Sequence, residues 1–190
     1  MEGEQPTPEH QAPQIEPKIY VASLSDYNNG HLHGRWINAA QEAATIQEEI
    51  EIMLEASRQP EGSEEWAIHD YEGFGAFQLG EYEDVAVVAL IAAGIVEHGP
   101  AFGHWANLVG TWDVDRLSHF EDHYRGVWDS LGDYASDVLD DMGASVESFT
   151  PGWLRPYVSL DLEALGSDLA TELEVAHDRD GQIHIFEPNA

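Results

Sequence analysis

One segment of the chain carries four aspartates at helical spacing and no positive charge. On a helix over residues 131–142, rotation by about 100° per residue places the four carboxylates in one sector and the apolar side chains on the opposite face. Like charges at i, i+4 each cost about 0.2–0.5 kcal/mol, so stability alone favours Glu–Lys pairs. The pattern indicates that the row of negative charge is itself the useful feature. The four residues are Asp133, Asp137, Asp140 and Asp141.

The spacing of these carboxylates resembles that of a nucleic-acid backbone. At about 1.5 Å per residue, the helix rises about 12 Å from Asp133 to Asp141, or roughly one charge per 3–4 Å. One strand of duplex DNA carries a charge about every 3.4 Å of its axis. A carboxylate row on a rigid helix therefore approximates a phosphate row, with an ordinary solvated acidic face as the alternative.

The whole chain shares this bias. It has 190 residues, with 37 Asp and Glu against 7 Lys and Arg, and a net charge of −30 at pH 7. Binding to nucleic acid or to an anionic membrane surface requires the opposite sign, so both are excluded. The natural partners are cations or a basic protein surface. Three functions fit: a DNA mimic, a salt-adapted acidic protein and a divalent-cation binder.

Motifs for catalysis and cofactor binding are missing from the sequence. The chain has no cysteine, no Gly-rich phosphate loop and no G-x-S-x-G. Glycoside hydrolysis uses a pair of carboxylates, but in a chain with 37 acids the presence of such pairs is not a specific signal for that reaction. We therefore expect no enzymatic activity, no catalytic residue and no cofactor.

The histidines give weak metal signals. His119 and His123 form H-x-E-x-H rather than the H-E-x-x-H of zinc peptidases, and a strand predicted over residues 119–128 would separate them. The pair His31 and His33 lies beside a turn, where a metal would bind only adventitiously. Residues 178–181, Asp-Arg-Asp-Gly, lack the acid that completes a calcium loop and predict a hairpin turn. We expect no metal site.

Hydrophobic periodicity predicts an α+β chain of three small modules. Residues 1–17 are rich in Pro, Glu and Gln and predict a disordered tail. Residues 18–74 predict a β-β-α-β module, with strands at 19–24, 34–38 and 66–71 and a helix at 42–57. Residues 75–117 predict a helical module, with helices at 82–97 and 101–109. Residues 118–190 predict a mixed α/β module, with a strand at 119–128, helices from Ser130 to Gly143 and at 161–171, and a hairpin of strands 173–178 and 182–186.

Membrane and export signals are not evident. The longest apolar run, residues 85–96, is too short to span a bilayer, which needs about 20 residues. The N-terminal residues show no basic stretch followed by an apolar one, so we predict no signal peptide. The expected compartment is the cytoplasm.

Several stretches in the same order resemble the ArdA antirestriction proteins, over about residues 18–187. One departure lies at residues 161–169, where the family pattern D-Y-E-A-F/Y-G-R-D-L reads DLEALGSDL. The matching stretches are IYVASL at 19–24, YNNGHLHGRW at 27–36, WAIHDYE at 66–72, YRGVWDS at 124–130, LRPY at 154–157 and IHIF at 183–186.

The resemblance implies an elongated α+β protein of three modules, usually a homodimer, that mimics bent B-form DNA. It implies inhibition of type I restriction–modification enzymes, whose methyltransferase and specificity subunits form the DNA-binding groove that the mimic occupies. Such proteins are carried by mobile genetic elements and act in the cytoplasm.

The residues predicted to serve this function form two sets. An apolar patch with few acids should form the dimer contact, and we assign it to Phe149, Trp153 and Leu154, with residues 102–112 as the alternative. The predicted mimic surface comprises Glu42, Glu48, Glu49, Glu51, Glu55, Asp129, Asp133, Asp137, Asp140, Asp141, Glu147, Asp161, Glu163 and Asp168.

Overall fold

The computed structural model describes residues 15–58 and 65–188. Contacts divide the chain into two compact units, an N-terminal unit of residues 1–103 and a C-terminal unit of residues 104–190. Each unit combines helices with an antiparallel sheet, which confirms the α+β class. The three-module division stays a prediction. Most of the predicted disordered tail, residues 1–14, lies outside the described residues.

The N-terminal unit is built on a three-stranded antiparallel sheet of order β2-β1-β3. The three strands lie where the sequence predicted them, and the central one pairs on both sides, with Ile19 opposite Ile37 and Tyr71. A short helix, α1, follows the first strand and is capped by the Ser23 hydroxyl. These elements are β1 (Lys18–Ser23), α1 (Leu24–Asn28), β2 (Gly34–Asn38) and β3 (Trp66–Glu72).

Two helices pack in the same unit, α2 (Ala43–Glu55) and α3 (Val85–His98). Helix α2, which the sequence predicted over residues 42–57, buries an apolar stripe in which Ile46 and Ile50 are fully inaccessible. Helix α3 is apolar around most of its circumference, and Gly94 makes room for the Phe102 ring, which would lie 2.4 Å from an added Cβ. No helix within the described ranges is long and apolar enough to cross a membrane.

Helix α4 (Pro100–Val109) contains the boundary between the two units. The C-terminal unit has a second antiparallel sheet of order β4-β6-β5 and several short helices. Two 3₁₀ turns lie at Arg155–Tyr157 and Ala170–Glu172. The remaining elements are α5 (Val114–Leu117), α6 (Phe120–His123), β4 (Tyr124–Trp128), α7 (Leu131–Asp141), α8 (Val146–Phe149), α9 (Leu162–Leu169), β5 (Glu174–His177) and β6 (Ile183–Phe186).

Aromatic side chains form the core of the C-terminal unit. The Trp105 indole donates a hydrogen bond to the Leu117 carbonyl at 3.2 Å and stacks on Phe186 at 5.7 Å. The predicted strand at 119–128 is wrong over its first half, because α6 occupies Phe120–His123. Both of those side chains are buried, and a helical turn directs residues three apart to the same side. Only residues 124–128 form a strand.

Candidate DNA-mimic surface

A side-chain cap marks the start of α7, and a glycine in the left-handed conformation follows its end. The Ser130 hydroxyl accepts a hydrogen bond from the Asp133 backbone N–H at 3.0 Å and donates to the Asp133 carboxylate at 2.7 Å. Asp133 lies in the first turn, where a negative charge interacts favourably with the helix dipole. Gly143 follows the helix with φ of 61°, a conformation that glycine adopts readily. The predicted boundaries of this helix are confirmed.

The apolar face of α7 packs inward, so its carboxylates face solvent. Ala135 is fully buried, and Tyr134 meets Trp128 of β4 edge to face at 4.9 Å. The four aspartates of the helix are all exposed. The helix thus presents a carboxylate row on its outer face, the arrangement that its sequence predicted.

A close backbone approach holds α9 against α7. A Cβ at Gly166 would lie 2.0 Å from the Leu131 carbonyl oxygen, and one at Gly132 would lie 2.6 Å from the Glu163 carboxylate. The two helices therefore touch where both lack side chains. Helix α9 adds further exposed acids to this pair of helices, at Asp161, Glu163 and Asp168.

The α7 carboxylates are not neutralised by nearby cations. In the described ranges no Lys or Arg side chain forms an ion pair with an acid of α7. Besides Asp133, two acids of this region are contacted by neutral donors: the Trp128 indole donates to Asp137 at 3.2 Å, and the Gln182 amide donates to Asp129 at 3.1 Å. Such contacts orient the carboxylates and leave their charge in place.

The acids of α2 are arranged differently. Glu49 is half-buried, forms an ion pair with Arg35 at 3.0 Å and accepts a hydrogen bond from the Gln41 amide at 2.9 Å. It therefore supports the fold more than it contributes negative charge to the surface. The other predicted members on or beside this helix are exposed, namely Glu42, Glu48, Glu51 and Glu55.

The last predicted member of the surface, Glu147, lies on α8, a helix that the sequence analysis did not predict. Its carboxylate is exposed, while Arg155 donates to the Glu147 backbone carbonyl at 2.9 Å rather than to the acid. The helix begins with a capping box between Ser145 and Ser148. Because Ser148 stands where the usual sequence pattern has Glu or Gln, that pattern does not reveal the helix.

The apolar patch assigned to a dimer contact is exposed in this chain. Phe149 and Trp153 have 69% and 76% of their surface accessible, and Leu154 is half-buried. In the alternative stretch, Phe102 is buried but Trp112 is 82% exposed. Exposed aromatic side chains therefore occur in both stretches, and the C-terminal patch carries two of them.

The histidine motifs examined in the sequence do not form a site. His119 is exposed, with its Nδ1 2.7 Å from the Asp115 carbonyl, whereas the His123 ring is buried against Trp105. The His33 Nε2 lies 2.7 Å from the Met53 carbonyl.

A different group of metal-capable side chains does converge in the C-terminal unit. It consists of His104, Asp178 and His184, whose ligand atoms all lie within 4.8 Å of one another. Burial lowers the pKa of both imidazoles, and the Asp178 charge partly opposes that effect. The local sequence predicts Asp178 only as part of a turn and gives no signal for the two histidines, because the three residues are far apart along the chain.

A family model described as antirestriction protein (ArdA) matches residues 19–183, nearly all of the described chain. No curated protein matches the sequence.

Proposed function

The chain belongs to the ArdA family of antirestriction proteins, and from this premise we propose that it inhibits type I restriction–modification enzymes as a DNA mimic. In this proposal, its carboxylates take the place of phosphates in the DNA-binding groove of the methyltransferase and specificity subunits. The family consists of inhibitors without catalytic activity, so the proposal assigns no reacting residue.

The observation that carries this proposal is the outer face of α7. Four exposed carboxylates lie on one rigid helix, the described residues place no cation against them, and their spacing approximates that of phosphates along a DNA strand. A groove that binds DNA is lined with Lys and Arg, which attract any rigid anionic row of the right spacing. The net charge of −30 extends this attraction over the whole chain.

Competition with DNA tests the proposal directly. A labelled duplex carrying the recognition site is bound to a type I methyltransferase, and the protein is added while fluorescence anisotropy is followed. We expect the protein to displace the duplex stoichiometrically. A stable complex of enzyme, duplex and protein together would contradict occupation of the groove.

We also propose that the protein acts as a homodimer in the cytoplasm. Type I enzymes read a site of two parts, and a two-fold dimer would supply a surface of matching symmetry. Because chains with a net charge of −30 repel each other, the contact requires an apolar patch. The exposed Phe149 and Trp153 and the half-buried Leu154 offer one.

Substitution of the patch tests this assembly. Trp153→Glu should give a monomer with weakened inhibition, measured by sedimentation and by the competition assay. Tyr82→Glu, a change at another exposed aromatic residue, serves as the control and should leave a dimer. A wild-type monomer with full inhibition at micromolar concentration would refute the dimer and leave mimicry intact.

A salt-adapted acidic protein is the alternative, because Lys18 is the only lysine beside six arginines. A salt-adapted protein needs salt to screen the repulsion between its negative charges, so it should unfold at low salt. A DNA mimic should stay folded under the same conditions. Circular dichroism at about 10 mM and 1 M salt, which span Debye lengths of about 30 to 3 Å, separates the two.

A further inference from the structure

Three side chains from separate parts of the C-terminal unit meet beside the hairpin of β5 and β6. His104 comes from α4, Asp178 begins the turn after β5, and His184 lies in β6 opposite Ala176. The His104 Nε2 lies 3.9 Å from one Asp178 carboxylate oxygen, and the His184 Nε2 lies 4.0 Å from the other. Both ring nitrogens thus face the same carboxylate beyond hydrogen-bond distance.

The two ring nitrogens are buried and unpaired. His104 and His184 are only 8% and 6% exposed, and in the described ranges neither Nε2 has a hydrogen-bond partner. Buried polar atoms without partners are rare in folded proteins, and each calls for an explanation. The two atoms lie beside one partly exposed carboxylate, and together the three groups form a set of ligands that a single cation could satisfy.

A neighbouring hydroxyl orients the His184 ring and is compatible with the ring form that binds metals. The Tyr124 hydroxyl lies 3.0 Å from the His184 Nδ1. When Nδ1 carries the proton and donates to this oxygen, Nε2 presents its lone pair to the cluster, as in metal sites whose histidines are oriented by a second hydrogen bond. Burial lowers the pKa of both histidines, which favours the neutral imidazole that a metal requires.

We propose that His104, Asp178 and His184 bind a divalent transition-metal ion of the zinc class through two Nε2 atoms and one carboxylate oxygen. Two imidazoles and a carboxylate suit zinc, whereas calcium and magnesium prefer oxygen ligands alone. A tetrahedral zinc site with bonds of about 2.1 Å separates its ligand atoms by about 3.4 Å. The ligand atoms of the cluster lie within 4.8 Å of one another, so metal binding requires them to approach by up to roughly 1.4 Å.

The site is distinct from the carboxylate row, since none of its ligands lies on α7 or α9. A bound ion would fasten the β5–β6 hairpin to α4 and satisfy both buried nitrogens at once. Metal binding would thus stabilise the C-terminal unit that carries the row, independently of whether the row binds a restriction enzyme.

Zinc titration of the full chain by calorimetry tests the site. The 37 acids and ten histidines will bind metal ions weakly, so excess Mg²⁺ and about 0.15 M salt should be present. We expect one tight zinc per chain, and Co²⁺ in the same site should show the intense visible absorption of tetrahedral cobalt.

Asp178→Asn and His184→Gln should each weaken this tight binding at least tenfold, more than the loss of an outer hydrogen bond around a metal ligand. The asparagine of Asp178→Asn keeps an oxygen that can accept the 2.8 Å hydrogen bond from the Arg179 N–H, so the turn should persist. This variant therefore tests the metal site even if the variant at the buried His184 fails to fold. His177→Gln, an exposed histidine next to Asp178, is the matched control and should bind zinc as the wild type does.

Equal zinc affinity and stoichiometry in the wild type and in Asp178→Asn would overturn the proposal. Binding that excess Mg²⁺ abolishes would also overturn it, as adventitious capture by surface acids. A variant that loses the tight zinc but still displaces DNA would show that the site is separate from the proposed inhibition.

Discussion

The two units carry nearly equal charge, but they use it differently. Residues 1–103 contain 19 acids and 3 bases, and residues 104–190 contain 18 and 4. On α2, Glu49 is tied to Arg35 and Gln41, and longer glutamate side chains surround it. On α7, four short aspartate side chains share one exposed face without a cation beside them in the described ranges. Net charge alone therefore does not distinguish the two helices, whereas the arrangement of their carboxylates relative to nearby cations does.

The N-terminal unit also uses a carboxylate purely for its structure. Asp26 is fully buried and accepts a hydrogen bond from the Ser57 hydroxyl at 2.5 Å, which lowers the pKa of its carboxyl. The protein thus contains acids that stabilise the fold through buried or paired contacts and acids that are exposed to solvent on its surface.

The largest effect should follow from neutralising the α7 row. Changing its four aspartates to asparagine keeps side-chain shape and hydrogen-bond acceptors but removes four charges. At about 0.2–1 kcal/mol for each exposed charge pair, binding to the methyltransferase should weaken by about 1–4 kcal/mol. Stability should hold or rise, since repulsion between like charges disappears. Displacement of labelled DNA measures the effect.

The matched control neutralises four exposed glutamates of the other face, Glu42, Glu48, Glu51 and Glu55, to glutamine. We expect a smaller loss, because these side chains are longer and a cation lies beside their helix. An equal or greater loss from the α2 variant would contradict the distinction between the two faces.

The next largest effect should come from disturbing the packing of α9 against α7, the helix that carries the four aspartates. Gly166→Ala should destabilise the C-terminal unit by about 1–3 kcal/mol, because the new Cβ would overlap the Leu131 carbonyl and push α9 away from α7. Gly152→Ala is the control, since no atom lies within 4 Å of its added Cβ. Denaturant unfolding measures both, and equal stability would disprove the close packing.

The structural acid of the N-terminal unit should show in the pH dependence of stability. The folded pKa of Asp26 lies below the unfolded value of about 3.9, so its stabilisation is present above that pH and is lost as pH falls through the folded pKa. Asp26→Asn should therefore lower the free energy of unfolding at pH 7. The difference in stability between this variant and the wild type should shrink as the pH falls. Denaturant midpoints between about pH 7 and pH 2 check this. A constant difference over that range would contradict it.

The smallest effect should come from a single member of the row. Asp133→Asn alone should weaken binding by about 0.2–1 kcal/mol, since many acids share the charge. If this one change abolished inhibition in a folded protein, a specific site would replace the distributed surface.

Local patterns predicted most of the fold. The strands of the first sheet, the helix after Ser130 and the hairpin around Gly181 each follow from alternation, capping or turn residues close together in sequence. The error at Phe120–His123 arose because aromatic residues favour strands locally, while burial of Phe120 and His123 beside Trp105 and Phe186 decided the outcome. Tertiary packing overrode local propensity there.

The carboxylate row and the histidine–aspartate cluster differ in whether the sequence alone can reveal them. The α7 row is visible in the sequence because its members recur every three or four residues. The cluster of His104, Asp178 and His184 joins α4 to a distant hairpin, and only the folded chain brings it together. The close contact at Gly166 was equally hidden, since it depends on two helices meeting backbone to backbone.

The salt dependence of binding tests the central claim most directly. If the carboxylates replace phosphates, affinity for a type I methyltransferase should fall steeply with ionic strength, as DNA binding does. For six to ten equivalent contacts the loss is about 10³-fold or more between about 50 and 200 mM salt, with the protein folded throughout. An affinity that stays flat over this range would contradict the account.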